Sequence, residues 1–550
     1  MEEKPAGSFE GKAALKIFLL TFAANGLMFL CDGHYMDDWE MYFSFFTGNS
    51  IFQKDFFSDC GQIYLYYYHE FIFSHFQKEY IFIVYRVLVF FSIFLSNLML
   101  YKILDTTRLL SNFEKMFIVL IFACFMTQKT FVYFIDSTYI ICYGLFLTAS
   151  YLAIKNIEKR SLAITLISVI LFTISYITGS FYVYHYGFLL AYFYLSNVKK
   201  ETSNPERGNL VLSGVYFFLP IIVFFSNKFI FPKRGLNTSY NNVDPTNKTL
   251  HLFNRFFDSV TADIINPLYN YVSKPSVFLI MIAVFSLVFL VCRRKFSISS
   301  EKGAILLEYG FILLLLGILP YAFIGGSPST YDINPSRYTM LLSLPVAIML
   351  VAIVKIVHET KRKPVKYVSF IVLSLMVFAF FMARNQNYIS MEARWIKDQS
   401  IILNLRDNKE AMNYKFFWIK DRYKLGGVRS YWGFREWKGM FYASWNDLRW
   451  IGINIEPDSN FLTAFELLKK DKLLPPTSEQ AIIEIDKKQQ TGETKIVMKY
   501  WFLKLFRKNE LADYVKNIVT LNLDTKAGDI DEILMEENIL FKRFKDKTYF

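Results

Sequence analysis

The chain has 550 residues, 53% of them hydrophobic and 19% aromatic, with 58 Phe and 36 Tyr. That apolar share lies above the roughly 45–50% usual for soluble domains, which excludes an ordinary water-soluble enzyme and points to a polytopic membrane protein with a polar appendix. The net charge of +13 does not indicate nucleic acid, because the basic residues sit mostly between hydrophobic runs, where orientation in a membrane accounts for them.

Hydrophobic runs lie at 13–31, 81–101, 116–134, 137–154, 162–178, 181–196, 209–231, 276–292, 303–324, 338–356 and 367–384. Each can cross a hydrocarbon layer about 30 Å thick, which predicts about eleven transmembrane helices. Ala13–Leu30 is too long for a cleavable signal and has no small-residue cleavage site after it, so it reads as a retained first helix. With the N-terminus inside, the Lys- and Arg-rich loops 102–115, 155–160, 199–207, 293–302 and 355–366 all face the cytoplasm. An odd number of spans then places the tail outside.

Three outer segments are too long for simple turns: 32–80, 232–275 and the tail 385–550. The loop 325–337 is shorter but rich in turn residues. In the tail, Ala481-Ile-Ile-Glu-Ile-Asp and Lys495-Ile-Val-Met-Lys-Tyr read as strands, while Asn460–Lys470 and Asn509–Val519 read as helices. The expected architecture is therefore a polytopic α-helical membrane module, 1–384, followed by an extracytoplasmic α/β domain, 385–550. Cys31 and Cys60 share the outer side on this reading, which leaves a disulfide between them open.

Carboxylates gather where the chain leaves the first span, in Cys31-Asp-Gly-His-Tyr-Met-Asp-Asp-Trp-Glu-Met-Tyr42. Met36–Phe46 has helical periodicity, with Trp39, Tyr42, Phe43 and Phe46 on one face and Asp37, Glu40 and Ser44 on another. This predicts a helix lying in the interface, its aromatic side in the headgroups. Acids beside an anionic surface make poor anchors, so the acidic side should face protein and a cavity. Adjacent carboxylates on a helix point about 100° apart. One of Asp37 and Asp38 can then serve a site while the other caps or orients.

These features together resemble the GT-C superfamily of membrane glycosyltransferases: a first span, a long outer loop opening on an acidic pair, an amphipathic helix in that loop, many spans and an outer C-terminal domain. Arg337-Tyr-Thr-Met-Leu-Leu-Ser-Leu-Pro345 is similar to the start of a late helix in bacterial family-39-like members. The resemblance covers roughly 13–384 as architecture, and the tail matches no family domain. It implies transfer of a sugar from a polyprenyl-phosphate donor to a glycan, lipid or protein acceptor at the outer face. Asp37 or Asp38 would be the general base, with Glu40 orienting the acceptor and His34 a partner or participant. Arg337 and Tyr338, and with them Lys233, Arg234 and Arg255, are the candidates for the donor phosphate, since a guanidinium fork suits that group. Some members hold a divalent cation and others none, so metal use stays open. His69, Glu70 and His75 share one loop, at a spacing poor for a helical metal pair.

Two other classes compete with that reading. A surface-polysaccharide polymerase or ligase is also polytopic but does not need acids directly after the first span. A transporter or flippase predicts ionisable residues at mid-membrane. Here the span interiors are nearly free of them, Glu308 being the main exception. The abundance of Lys, Ile, Asn and Phe fits an AT-rich bacterial genome, which would make the membrane cytoplasmic and the active face periplasmic or extracellular.

Overall fold

A computed structural model describes residues 6–35, 37–48, 50–107, 109–125, 129–200, 208–234, 300–323, 339–359, 363–423, 434–447, 449–455, 476–488 and 491–525, with positions 261, 265, 269 and 425. In chain order the α-helices are α1 (Ala6–Asn25), α2 (Asp37–Phe46), α3 (Ser50–Asp59), α4 (Ile63–His75), α5 (Ile81–Thr107), α6 (Asn112–Phe125), α7 (Ser137–Lys159), α8 (Leu162–Ser175), α9 (Phe181–Lys200) and α10 (Gly208–Ile230). There follow α11 (Ser300–Phe323), α12 (Ser343–Glu359), α13 (Lys363–Asp407), α14 (Phe434–Trp445), α15 (Glu493–Phe506) and α16 (Lys508–Lys516). The strands are β1 (Phe416–Asp421), β2 (Ile451–Asn454), β3 (Gln480–Lys487) and β4 (Val519–Asp524). The chain divides into two compact units. One comprises residues 1–29, 54–132 and 136–388; the other comprises 30–53, 133–135 and 389–550. The domain boundary expected at 384/385 thus falls at 388/389, inside α13, and the start of the 32–80 segment belongs to the second unit.

The first unit is helical. Among the described residues six stretches are long and apolar enough to cross a bilayer: Gly11–Leu30, Lys78–Thr107, Ser137–Ile157, Leu212–Ile230, Glu301–Tyr321 and Thr339–Val357. They coincide with six of the expected spans. Two other expected spans are shorter helices: 162–178 holds α8, and 116–134 holds α6, which stops before the polar run Thr127-Gln-Lys-Thr130. The run 276–292 lies outside the described residues. α11 packs along α12, and Gly303, Gly310 and Gly317 recur every seventh residue along it. A Cβ at Gly310 would meet Met349 Cγ at 2.6 Å, so the missing side chain is what lets the backbones approach.

α6 opens on a reciprocal cap, Ser111-Asn-Phe-Glu114. Glu114 Oε2 accepts the Ser111 N–H at 2.7 Å, and Ser111 Oγ accepts the Glu114 N–H at 3.3 Å. The other oxygen of Glu114 takes Lys355 Nζ of α12 at 3.0 Å, and both side chains are fully buried. A second polar knot holds α1 to α13: Arg384 donates to Asn25 Oδ1 through Nε at 2.8 Å and Nη2 at 2.7 Å, and Tyr388 adds its hydroxyl at 2.9 Å. The four described cysteines, Cys31, Cys60, Cys124 and Cys142, are free thiols, so Cys31 and Cys60 form no disulfide.

The second unit carries a four-stranded sheet in the order β2-β1-β3-β4. β1 runs parallel to both neighbours, and β4 closes the edge antiparallel to β3. The central strand begins Phe416-Phe-Trp-Ile, all buried, as expected for a parallel strand covered on both faces. Buried indoles find acceptors here: Trp418 Nε1 donates to Gln480 Oε1 at 2.9 Å and Trp437 Nε1 to Asn454 Oδ1 at 2.7 Å. The strand expected at Ala481 is β3. The one expected over Lys495–Tyr500 is instead part of the helix α15, because its apolar residues continue as Ile496, Val497, Tyr500, Trp501 and Leu503, a helical spacing that all five bury. Helix Asn509–Val519 is α16, ending at Lys516 before β4, and Asn460–Lys470 lies outside the described residues.

Candidate functional site

The acidic stretch after the first span lies in the second unit and is fixed there residue by residue. Asp32 pairs with Lys504 of α15 and accepts the Tyr500 hydroxyl at 3.3 Å, while its own N–H donates to Glu392 Oε2 at 3.1 Å. Burial, with Glu392 and Asp32 beside it, raises the Tyr500 pKa above the usual phenol range. Trp501 Nε1 donates to the Leu30 carbonyl at 3.1 Å. The start of this loop is thus tied to α15 at Leu30 and Asp32.

Helix α2 begins at Asp37, whose side chain lies outside the described residues, so its place in a site is not part of the geometry. Asp38 is fully buried. Its Oδ1 accepts the backbone N–H groups of Phe134, at 2.8 Å, and Ile135, at 3.2 Å. Its Oδ2 accepts the Tyr35 N–H at 3.3 Å, and the Asp38 N–H answers to the Tyr35 carbonyl at 3.0 Å. A carboxylate holding three N–H donors works as a cap and a staple between two chain segments. Few of its lone pairs remain for a substrate proton.

Trp39 is buried. Its indole N–H points to Asp398 Oδ2 at 3.5 Å and its ring lies 5.7 Å from that of Trp395. His34, also buried, is ringed by Tyr42 at 4.0 Å, Phe134 at 5.2 Å, Trp39 at 5.3 Å and Trp395 at 5.4 Å. Glu40 and Ser44 are buried as well. The expectation of an interfacial helix with its aromatic side in the headgroups is therefore corrected: Trp39 and Phe43 pack inside the unit, against α14 among others. Gly439 of α14 makes this packing possible, since a Cβ there would meet Trp39 Cβ at 2.9 Å. Gly439→Ala should destabilise the unit by about 1–3 kcal/mol through overpacking. In a helix with room the same change stabilises by about 1 kcal/mol, so the sign of the shift in thermal midpoint decides the matter.

The sequence reading passed over the stretch Glu392-Ala-Arg-Trp-Ile-Lys-Asp398 on α13. Its four charged side chains are all buried. Arg394 Nη2 pairs with Glu436 Oε1 of α14 at 2.8 Å. Burial works against the Arg394 charge, but Glu436, with Tyr133 and Asp398, holds its pKa above the ordinary value. Lys397 Nζ meets Asp421 Oδ2 at 2.5 Å at the end of β1. Burial presses this pair toward neutrality, lowering the lysine and raising the aspartate, each opposed by the charge of the other. The available signal was the charge density itself: four ionisable residues around a Trp, in the same helix as an apolar run.

No protein-family model matches the chain, and no curated protein matches it.

Of the remaining candidates, Arg337, Tyr338 and Arg255 lie outside the described residues. Lys233 and Arg234, in the first unit, are exposed, and the Arg234 N–H donates to the Asp59 carbonyl at 2.9 Å. Partial burial lowers the Lys233 pKa. His69 is buried, with Nδ1 2.7 Å from the Tyr85 hydroxyl, and burial lowers its pKa to about 3. Glu70 accepts the Tyr66 hydroxyl at 2.8 Å, and His75 turns to its own helix. Among the described residues no group of three His, Cys, Asp or Glu side chains is placed to hold a metal ion.

Proposed function

We propose that the protein is an integral membrane glycosyltransferase of GT-C type, with about eleven spans, the N-terminus inside and the second unit outside. It would transfer a sugar from a polyprenyl-phosphate donor to a glycan, lipid or protein acceptor. The acceptor hydroxyl attacks the anomeric carbon, the bond from that carbon to the phosphate oxygen breaks, and the lipid phosphate leaves with the electron pair. The acceptor proton passes to a carboxylate of the first outer loop.

The observation that carries this reading is the immobilisation of that loop. Asp32, Asp38 and Trp39 are each held by named partners, so the start of α2 is a rigid platform, as a reacting group needs. With Asp38 occupied by backbone donors, Asp37 takes the role of general base. Glu40 orients the acceptor, and His34 shapes the aromatic wall beside it. Arg337 and Tyr338 serve the donor phosphate, with Lys233, Arg234 and Arg255 as further basic contacts. A divalent cation held by the carboxylates is compatible with this chemistry and is not required by it.

The test is mass spectrometry of cell-envelope glycans and lipid-linked sugars in a parent strain and its deletion. Loss of one sugar unit, with accumulation of the unmodified acceptor, is the expected result, and the missing mass names the sugar. Loss of long polymer with intact repeat units would replace this reading with a polymerase. An unchanged glycan and lipid profile would end it.

A further inference from the structure

Helix α15 is apolar on two opposite sides. Ile496, Val497, Tyr500, Trp501 and Leu503 are buried in the second unit. On the other side Met498 is 55% exposed, Phe502 50%, Leu505 59% and Phe506 72%. These four fall at i, i+4, i+7 and i+8, which is a single face. Phe502 and Phe506 lie side by side on this face, their ring centroids 5.3 Å apart and their planes tilted by 43°. Large apolar side chains massed on one side of a helix mark a surface that meets something other than water.

The charges around this face favour lipid over protein. Lys495 and Lys499 lie on the exposed side of α15, and Arg507 and Lys508 follow its C-terminus, all exposed. Glu493 and Glu510 are the acidic residues of the same stretch, and Glu510 is already paired with Arg507 at 3.4 Å. Protein interfaces are depleted of Lys at their centre, whereas helices that lie on membranes place Lys and Arg beside Phe and Leu. The same chain holds stretches long and apolar enough to cross a bilayer, so a lipid surface is a chemically apt partner for it.

We propose that the outward face of α15 is a membrane-surface contact, with Met498, Phe502, Leu505 and Phe506 entering the headgroup boundary and the neighbouring lysines meeting anionic lipid. It takes the interfacial role that the sequence pattern had placed on α2. Each basic residue near an anionic surface adds attraction that falls off within a Debye length, so the contact is sensitive to lipid charge. The proposal stands independently of the transferase reading.

The experiment places a nitroxide at position 502, by Phe502→Cys, in the full-length chain in nanodiscs of phosphatidylcholine with or without phosphatidylglycerol. Met498→Cys is a second reporter, Asp513→Cys an exposed polar control, and the labelled parent chain gives the background of its own thiols. Collision with oxygen should relax the labels at 498 and 502 several-fold more than collision with a water-soluble nickel chelate, relative to 513. The excess should shrink in neutral discs and in Lys495→Glu/Lys499→Glu. Chelate access at 502 equal to that at 513 would put the face in water and overturn the contact. Exclusion of both reagents would mean that protein covers it, a second copy or residues 526–550, and would overturn it equally. Equal depth in both discs would remove the role given to the lysines.

Discussion

Replacing Asp38 with Ala should destabilise the second unit by about 3–5 kcal/mol, because it leaves buried N–H groups without an acceptor. Phe134 and Ile135 lose the shared Oδ1, and Tyr35 loses Oδ2. These bonds staple the segment 133–135 to the start of α2, so the loss falls there first. All eight tryptophans belong to the second unit, which makes indole fluorescence a selective reporter of its unfolding. The midpoint in detergent should fall, while the far-ultraviolet signal of the apolar helices persists past it. Asp38→Asn should fall between parent and Ala. Its carbonyl oxygen can still accept from Phe134 and Ile135, but its amide then faces the Tyr35 N–H, donor against donor. A midpoint unchanged in the Ala variant would show that these bonds do not hold the loop.

Helix α2 was legible in the sequence almost to the residue, because its periodicity is strong and local. What it packs against was not. An aromatic stripe reads the same whether it meets headgroups or a protein core, and the complement to Trp39 is Gly439, far along the chain. The partners of Asp38 were invisible for a different reason: they are backbone N–H groups, which every residue but proline offers, so no residue type announces them. Lys495–Tyr500 looked like a strand because Ile496 and Val497 are β-branched and charged residues flank the run. Only the full length of α15, through Trp501 and Leu503, reveals the helical period. Its second apolar face also hid the pattern, since a helix apolar on two sides shows little amphipathicity. The buried charges from Glu392 to Asp398 give no sign of their burial in the sequence. Their burial follows from partners such as Glu436 and Asp421, which the sequence does not place beside them.

On the proposed reading of Asp37 as general base, Asp37→Asn should slow sugar transfer by about 10²–10⁴-fold with the tryptophan midpoint unmoved. That loss corresponds to roughly 3–5 kcal/mol of transition-state stabilisation. The argument runs through its neighbour. Successive residues of a helix point about 100° apart, so the bonds that occupy Asp38 at 133–135 do not commit its neighbour. Asp37 is also the first residue of α2. The effect should fall on kcat at saturating donor and acceptor, since a base acts in the transition state and not in binding. Asp37→Glu should recover part of the rate, because it restores the carboxylate but displaces it by one methylene. The paired outcome separates the two acids: Asp38 variants lose stability first and activity with it, whereas Asp37→Asn loses activity alone. Full activity in Asp37→Asn would remove Asp37 as the base and turn the test to Glu40 and His34, the other candidates of this stretch.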